Sequence, residues 1–178
     1  MDESCLGGIT GCGFMEAWDI IVVGDGPAAL RAAAAAAKQG ASTLMVAVNA
    51  LGSSNDAARD GLAAPIQESN NRSHREDTIR NGAFLTDQDI VAMRTADAIR
   101  TLDLLERWGV NFRRDATGLP HVSKAMGHGK PRVADAGDAM AREVQKTLEE
   151  QCMRHGVVRR GDHLPLALIH SLSLIHIS

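Results

Sequence analysis

No stretch of these 178 residues stays apolar for the ~20 positions a bilayer-spanning helix needs, and the N-terminus has no basic segment leading into an apolar signal core. By its own sequence the chain is therefore expected neither to cross a membrane nor to be exported. An excess of one charge is also missing: 19 Lys and Arg against 22 Asp and Glu give a net charge of -3, scattered along the chain. That leaves no basic stripe for nucleic acid and no acidic tail. The three cysteines, Cys5, Cys12 and Cys152, have neither the C-x-x-C spacing of a metal site nor the even count of a disulfide framework, which points to a reducing cytosol. His121 and His155 have no partner at ligand spacing, and neither an H-E-x-x-H motif nor a paired-carboxylate arrangement occurs, so no metal and no catalytic residue are assigned. Internal repeats and interdomain linkers are absent, and an apolar fraction of 44% suits one globular core.

What is present is punctuated by glycine. After Asp19 comes the β-branched run Ile20 to Val23, ended by Gly24, as in a central strand buried on both faces of a parallel sheet. Pro27 suits a first helical position, Ala28 to Gln39 is dense in helix formers, and Gly40 supplies the stop. Thr43 to Val48 reads as a second strand, so residues 19–48 make one strand–helix–strand unit of the ~30 residues a right-handed crossover takes. Leu51 to Asn71, rich in Gly, Ser, Asn and Asp, reads as loop with room for one short helix.

Between Asp87 and Trp108 the positions Ala98, Leu102 and Leu105 follow helical spacing and Gly109 closes the segment, as one helix or two in tandem. Asp87, Asp89, Asp97 and Asp103 read as its cap and solvated face, Trp108 as helix-end packing. Val110 to Phe112 is expected as a short strand, Asp115 to Gly118 as a tight turn, and a further helix from an Asp138 cap through Val144, Leu148 and Cys152 to Gly156, with a strand starting at Val157 and Val158.

Gly24, Asp25, Gly26, Pro27, Ala28 and Ala29 match G-x-G-x-x-[GA] and stand between the expected strand and helix, where a dinucleotide cradle belongs. Gly24 permits the tight turn, Gly26 removes a Cβ that would block a pyrophosphate, and Ala29 keeps the helix near the strand. The helix N-terminus then offers N–H groups and its positive dipole end to the phosphates. Asp25 fits only with its carboxylate turned away from the anion. At the end of the second strand Asn49 stands where an acid usually grips a ribose hydroxyl, and it can still accept a hydrogen bond there. On the cradle alone NAD, NADP and FAD stay open.

Ile21 to Ala33, with the continuation Leu30, Arg31, Ala32 and Ala33, resembles the opening of the succinate dehydrogenase and fumarate reductase flavoproteins, whose relatives include L-aspartate oxidase. Ser53, Ser54, Ala57, Ala58 and Gly61 resemble the family's serine-led loop, which runs into a small-residue stretch near the isoalloxazine ring. Asp77, Thr78, Gly82, Leu85, Asp87, Gln88, Asp89, Leu105, Gly109, Phe112, Arg114 and Gly118 follow in the family's order, and Gly127 to Arg132 with Ala134 and Asp135 is similar to its glycine-containing segment ending in arginine. Gly- and Ala-rich backbone suits close approach to a flavin, although a merely solvated loop has the same composition over residues 52–64.

The fold implied is an incomplete Rossmann-like FAD-binding domain, α/β with a largely parallel sheet, over residues 15–170. The implied cofactor is FAD, held by Gly24, Gly26, Pro27, Ala28, Ala29, Asn49, Ser53, Ser54, Ala58 and Gly61. Ser54 corresponds to the histidine that membrane-bound members join covalently to the flavin, so noncovalent binding is expected. His128 and Arg132 have two readings: substrate-proximal groups, as the resemblance implies, or ordinary surface charges. The activity implied is interconversion of succinate and fumarate by a longer enzyme, with dicarboxylate-binding residues on later segments. Its partners would be an iron–sulfur subunit and membrane subunits that keep a cytoplasmic protein at the inner face of the membrane. An L-aspartate oxidase-like flavoenzyme, an NAD(P)-dependent dehydrogenase and a non-functional truncated product stand as alternatives. Residues 1–14 are expected to be a disordered or spurious extension ahead of Met15. Ser171 to Ser178 resembles a translated sequencing adapter and is set aside as a non-native tail, with an apolar strand as the other reading.

Overall fold

The computed structural model describes residues 16–48, 61–66 and 71–168. The first strand, β1 (Ile20–Val23), leads into α1 (Pro27–Lys38) and returns in β2 (Thr43–Val46), parallel to β1 with Ile20 opposite Thr43 and Val23 opposite Val46. Gly40, at φ +89°, breaks the helix where an L-residue would be strained. Asp19 and Ser42 tie the two strand starts together: the Asp19 carboxylate accepts from the Ser42 amide at 2.8 Å and from its hydroxyl at 2.6 Å.

Six further elements precede the closing strand. Strand β3 (Leu62–Ala63) is followed by helices α2 (Arg72–Asn81) and α3 (Gln88–Trp108), then by β4 (Val122–Ser123), β5 (Val133–Ala134) and α4 (Met140–Arg154). The last, β6 (Val158–Arg160), pairs parallel to β2, so the main sheet runs β1-β2-β6 with β2 in the middle. This is a Rossmann-like α/β arrangement, whose crossover from β2 to β6 contains a second, antiparallel sheet ordered β3-β5-β4.

The core lies where α1, α3 and α4 meet the main sheet: Leu30, Ala33 and Ala34, Met45, Leu102 and Leu105, Val144, Leu148 and Cys152 are all buried. Alanines on α1 let α4 come close enough for the Cys152 thiol to donate to the Leu30 carbonyl at 3.3 Å, and burial raises that thiol's pKa. Helix α3 is a single helix. The Asp87 carboxylate caps it, accepting from the amides of Asp89 and Ile90 at 3.0 and 3.1 Å, and left-handed Gly109 ends it.

Several expectations differ from what is observed. Strand β1 is not buried on both faces: Ile21 is 56% and Val23 59% exposed, because among the described residues β1 has a neighbour on one side only. Helix α4 starts from Ala139 without a side-chain cap, because the N-cap position falls one residue after Asp138, whose backbone forms an isolated bridge with Ala136, and on a residue whose side chain has no acceptor. Val110 and Phe112 are buried core residues but form no strand. The turn after them forms as expected, with Asp115 Oδ1 accepting from the Thr117 amide and hydroxyl and Gly118 at φ +84°. The expected N-terminal extension and C-terminal tail lie outside the described residues.

Candidate functional site

The carboxyl end of β1 turns through Gly24 into α1, and the turn is held from two sides. The Gly24 amide donates to the Val46 carbonyl at 2.8 Å, carrying the parallel ladder one residue past the strand. The Asp25 carbonyl accepts from the Gln145 side-chain amide of α4 at 2.9 Å. Gly24 has φ +125°, a conformation that favours glycine. A Cβ there would sit 3.5 Å from the Ala29 Cβ, so the small residue at position 29 does keep helix and turn close.

Gly26, the N-cap, is extended at φ -76°, ψ 171°, Pro27 opens the helix, and no side chain caps it or places an acid in its first turn. The first-turn amides have no intrahelical acceptor, so an oriented row of donors and a positive dipole end remain for an anion. This donor set fits a dinucleotide pyrophosphate, and the carboxyl ends of parallel strands are where such ligands bind. Gly24, Gly26, Pro27, Ala28 and Ala29 are thus brought together. Asn49, Ser53, Ser54 and Ala58 lie outside the described residues.

Gly61 belongs to the other wall. It has φ +107°, and a Cβ on it would run into the Ala134 carbonyl oxygen and come within 2.8 Å of Val133 Cγ1. The next residue, Leu62, shares a cavity of about 470 Å³ with Pro27, Ala28 and Arg31, lined also by Trp108 and Leu148. Arg31 stacks its guanidinium over the Trp108 ring at 5.4 Å. The cradle and the chain leaving Gly61 therefore border one apolar space.

The second candidate pair, His128 and Arg132, is also brought together, but not as surface charges. Arg132 is 0% exposed. Its Nη1 donates to Asp77 Oδ2 at 2.7 Å and lies 3.1 Å from His128 Nδ1, and Nη2 donates to Ser73 Oγ at 2.8 Å. An arginine nitrogen can only donate, so His128 Nδ1 is the acceptor and its ring proton sits on Nε2. Asp77 Oδ2 also accepts from the Gly129 amide at 2.7 Å. The Arg132 hydrogen bond, then that amide, hold the Asp77 carboxyl below the usual carboxylate range. Burial, then the Arg132 charge, push the His128 imidazole down, while Asp77 opposes them. Arg113 makes a similar link nearby, donating through Nε to Asp135 Oδ1 at 2.6 Å.

Ser73, Asp77 and Gln145 were not singled out as site residues from the sequence. Asp77 was visible only as one position in the family's order, and Ser73 and Gln145 carry no local signal, since each meets its partner across a long stretch of chain. Among the described residues no cluster of three His, Cys, Asp or Glu side chains could hold a metal ion, and no helix is long and apolar enough to cross a membrane.

A family model described as an FAD binding domain matches residues 19–172. L-aspartate oxidase of a Nostoc species is 34% identical over 142 residues, covering 79% of this chain and 24% of its own length. L-aspartate oxidase 2-a, chloroplastic, of Nicotiana tabacum is 29% identical over 165 residues, covering 90% and 26%. Among solved structures, a quinol fumarate reductase flavoprotein of E. coli superposes with a TM-score of 0.73 at 29% identity, over 80% of this chain and 25% of that one. The Sdh1 complex of Mycobacterium smegmatis gives 0.69 at 25% identity, over 81% and 27%. The chain spans about a quarter of the length of the curated relatives it matches.

Proposed function

The chain belongs to the FAD-binding flavoprotein oxidoreductases, and from that premise we propose that it is the FAD-holding part of an enzyme that moves a hydride between the flavin and a four-carbon dicarboxylate, interconverting succinate and fumarate. The observation that carries the reading is the uncapped N-terminus of α1 beside Gly24 and Gly26, in a chain similar to a quinol fumarate reductase over most of its length. The NAD(P) alternative gives way, since the matching family binds FAD.

In this reading the amides of Ala28 and Ala29 donate to the pyrophosphate, and Gly26 leaves room for it. Asn49 accepts from a ribose hydroxyl, and Ser53, Ser54, Ala58 and Gly61 approach the ring system. When bound, FAD supplies the two-electron chemistry that none of these side chains can carry. Ser54, in the place of a linking histidine, leaves that FAD noncovalent. His128 donates through Nε2 to a substrate carboxylate. An iron–sulfur subunit, as a further partner, would take the electrons onward.

A second reading, oxidation of L-aspartate to its imine, is favoured by the curated relatives quoted above, which are L-aspartate oxidases. The substrates share a four-carbon chain with a carboxylate at each end and differ at the bond that loses hydrogen. The intact enzyme containing this chain, reconstituted with FAD and mixed anaerobically with each compound, separates the readings. Bleaching of the flavin band by succinate supports the first, bleaching by L-aspartate alone the second, and bleaching by neither would sink both.

A further inference from the structure

We infer that Arg132 is a positioning residue for the flavin-facing backbone from Gly61 to Ala64, held in place by Asp77 and Ser73 of α2. This deepens the proposed function and rests on its assignment of Gly61 to the cofactor.

A guanidinium with no exposed surface is costly inside a protein unless its donors are matched, and here Asp77 at 2.7 Å, Ser73 at 2.8 Å and His128 at 3.1 Å are among the groups that meet it. Two of them stand on α2. That helix has no apolar stripe, and its buried side chains are His74 and Asp77. Its seat in the fold is therefore polar, and Arg132 is at the middle of it. Full burial also leaves Arg132 no open face for a substrate, so its effect on the site has to pass through the main chain.

The route through the main chain is short. The Arg132 carbonyl accepts from the Ala64 amide at 2.7 Å, and its amide donates to the Ser123 carbonyl at 3.0 Å. The next two residues pair with Ala63 and Leu62, and Ala134 is the residue whose carbonyl bars any Cβ from position 61. A displacement of Arg132 thus reaches Ala64 through a direct hydrogen bond, and Ala63, Leu62 and Gly61 through the neighbouring residues Val133 and Ala134. Leu62 in turn borders the cavity that begins at Pro27 and Ala28. Apart from Leu62, the residues here carry little or no side chain to anchor the backbone, so its placement depends largely on the strand it pairs with.

If the cluster served only to hold α2 to the body of the protein, loosening it would lower stability without singling out the cofactor. Arg132→Lys separates the two roles: lysine keeps the charge but cannot fork between Asp77 and Ser73. Leu102→Ala is the comparison, a core truncation on α3 that touches none of the Arg132 hydrogen bonds. At conditions where the two variants are equally stable, Arg132→Lys is expected to weaken FAD binding at least tenfold and to blur the fine structure of the bound flavin's visible band, with Leu102→Ala changing affinity less than threefold. Hydrogen exchange at the Ala64 amide is expected to quicken at least tenfold relative to Met45 in β2.

Equal losses of affinity in both variants, or unchanged exchange at Ala64, would overturn the inference. Should Arg132→Lys fail to fold, Ser73→Ala removes one acceptor only. It is expected to weaken FAD binding about threefold and to quicken exchange at Ala64, and no change in either would likewise overturn it. Failure of the unaltered chain to bind FAD would instead sink the assignment of Gly61 to the cofactor, and the exchange measurement then decides by itself whether Arg132 positions β3.

Discussion

The side-chain amide of Gln145 donates to the carbonyl of Asp25 at 2.9 Å, joining residues 120 positions apart. It connects the helix that leads into β6 to the turn that leads out of β1, so the two parallel crossovers meet at the cradle. The same amide also donates to Glu149 Oε1 at 3.0 Å, one turn along α4, and Glu149 accepts from Arg159 of β6 at 3.2 Å. The turn between Gly24 and Gly26 is thereby fixed by α4 and β6 as well as by its own glycines.

Replacing Gln145 with alanine is expected to lower stability by about 0.5–1.5 kcal/mol, the usual net worth of one such hydrogen bond. FAD affinity should fall several-fold with it, because the freed turn must be reordered on binding. Isothermal titration of the variant with FAD, beside its urea midpoint, reads both numbers. An unchanged dissociation constant would mean that the turn holds its shape without α4.

The elements that were legible in the sequence are those that carry their own signals. Helix α1 has Pro27 and Gly40 at its ends, and α3 has the Asp87 cap and Gly109. Strand β2 is a run of buried positions. Helix α2 could not be seen, because a helix that buries histidine and aspartate shows no apolar period. Strands β3, β4 and β5 have two residues each and exist only through their pairing with one another, and the partners of β3 lie 70 and 72 positions along the chain. The cradle was legible because its motif is contiguous. The cluster around Arg132 was half legible: His128 and Arg132 stood out as neighbours, whereas Asp77 and Ser73 reach them from 55 and 59 positions away.

Asp77→Ala should cost about 3–5 kcal/mol, because it takes a paired carboxylate away from a fully buried cation. The double change Asp77→Leu with Arg132→Met removes both charges and keeps apolar volume, and it is expected to cost markedly less than the single one. Chemical denaturation of both proteins tests this. A double variant as unstable as Asp77→Ala would show that the loss comes from packing and not from the unpaired charge.

Acid should weaken the protein in two stages. His128 has a depressed folded pKa, so its contribution is complete above the unfolded value of about 6.5 and is lost as pH falls toward the folded one. Asp77 is depressed as well, chiefly by Arg132, and its contribution persists down to about pH 3.9 before it is lost through the lower folded value. His128→Gln is expected to flatten the stability profile just below pH 6.5 and to leave the limb below pH 3.9 in place. Urea midpoints taken across that range check it. The groups facing the imidazole are Arg132, Asp77 and the His74 ring at 6.1 Å.

On the proposed correspondence of Ser54 to a linking histidine, all flavin should leave the protein when it is denatured. Precipitating the FAD-loaded chain with acid is expected to give a colourless pellet and a yellow supernatant. Flavin kept in the washed pellet would contradict this and direct attention to another histidine.

Gly109 and Gly61 have nearly the same backbone conformation, φ +114° and +107°, but different surroundings. A Cβ at Gly109 meets nothing within 4 Å, whereas one at Gly61 collides with the backbone of Ala134 and the side chain of Val133. Gly109→Ala should therefore cost only the left-handed strain, about 1–2 kcal/mol, and leave FAD binding intact. Gly61→Ala adds a clash with main-chain atoms that cannot rotate away, so β3 must part from β5. It is expected to cost more than 3 kcal/mol, in the range of severe core changes, and to abolish measurable FAD binding. Thermal melts with and without FAD distinguish the two outcomes: added FAD is expected to raise the melting temperatures of the parent chain and of Gly109→Ala alike and to have no effect on Gly61→Ala. Equal responses in the two variants would show that the contact between Gly61 and Ala134 does not shape the flavin-facing wall.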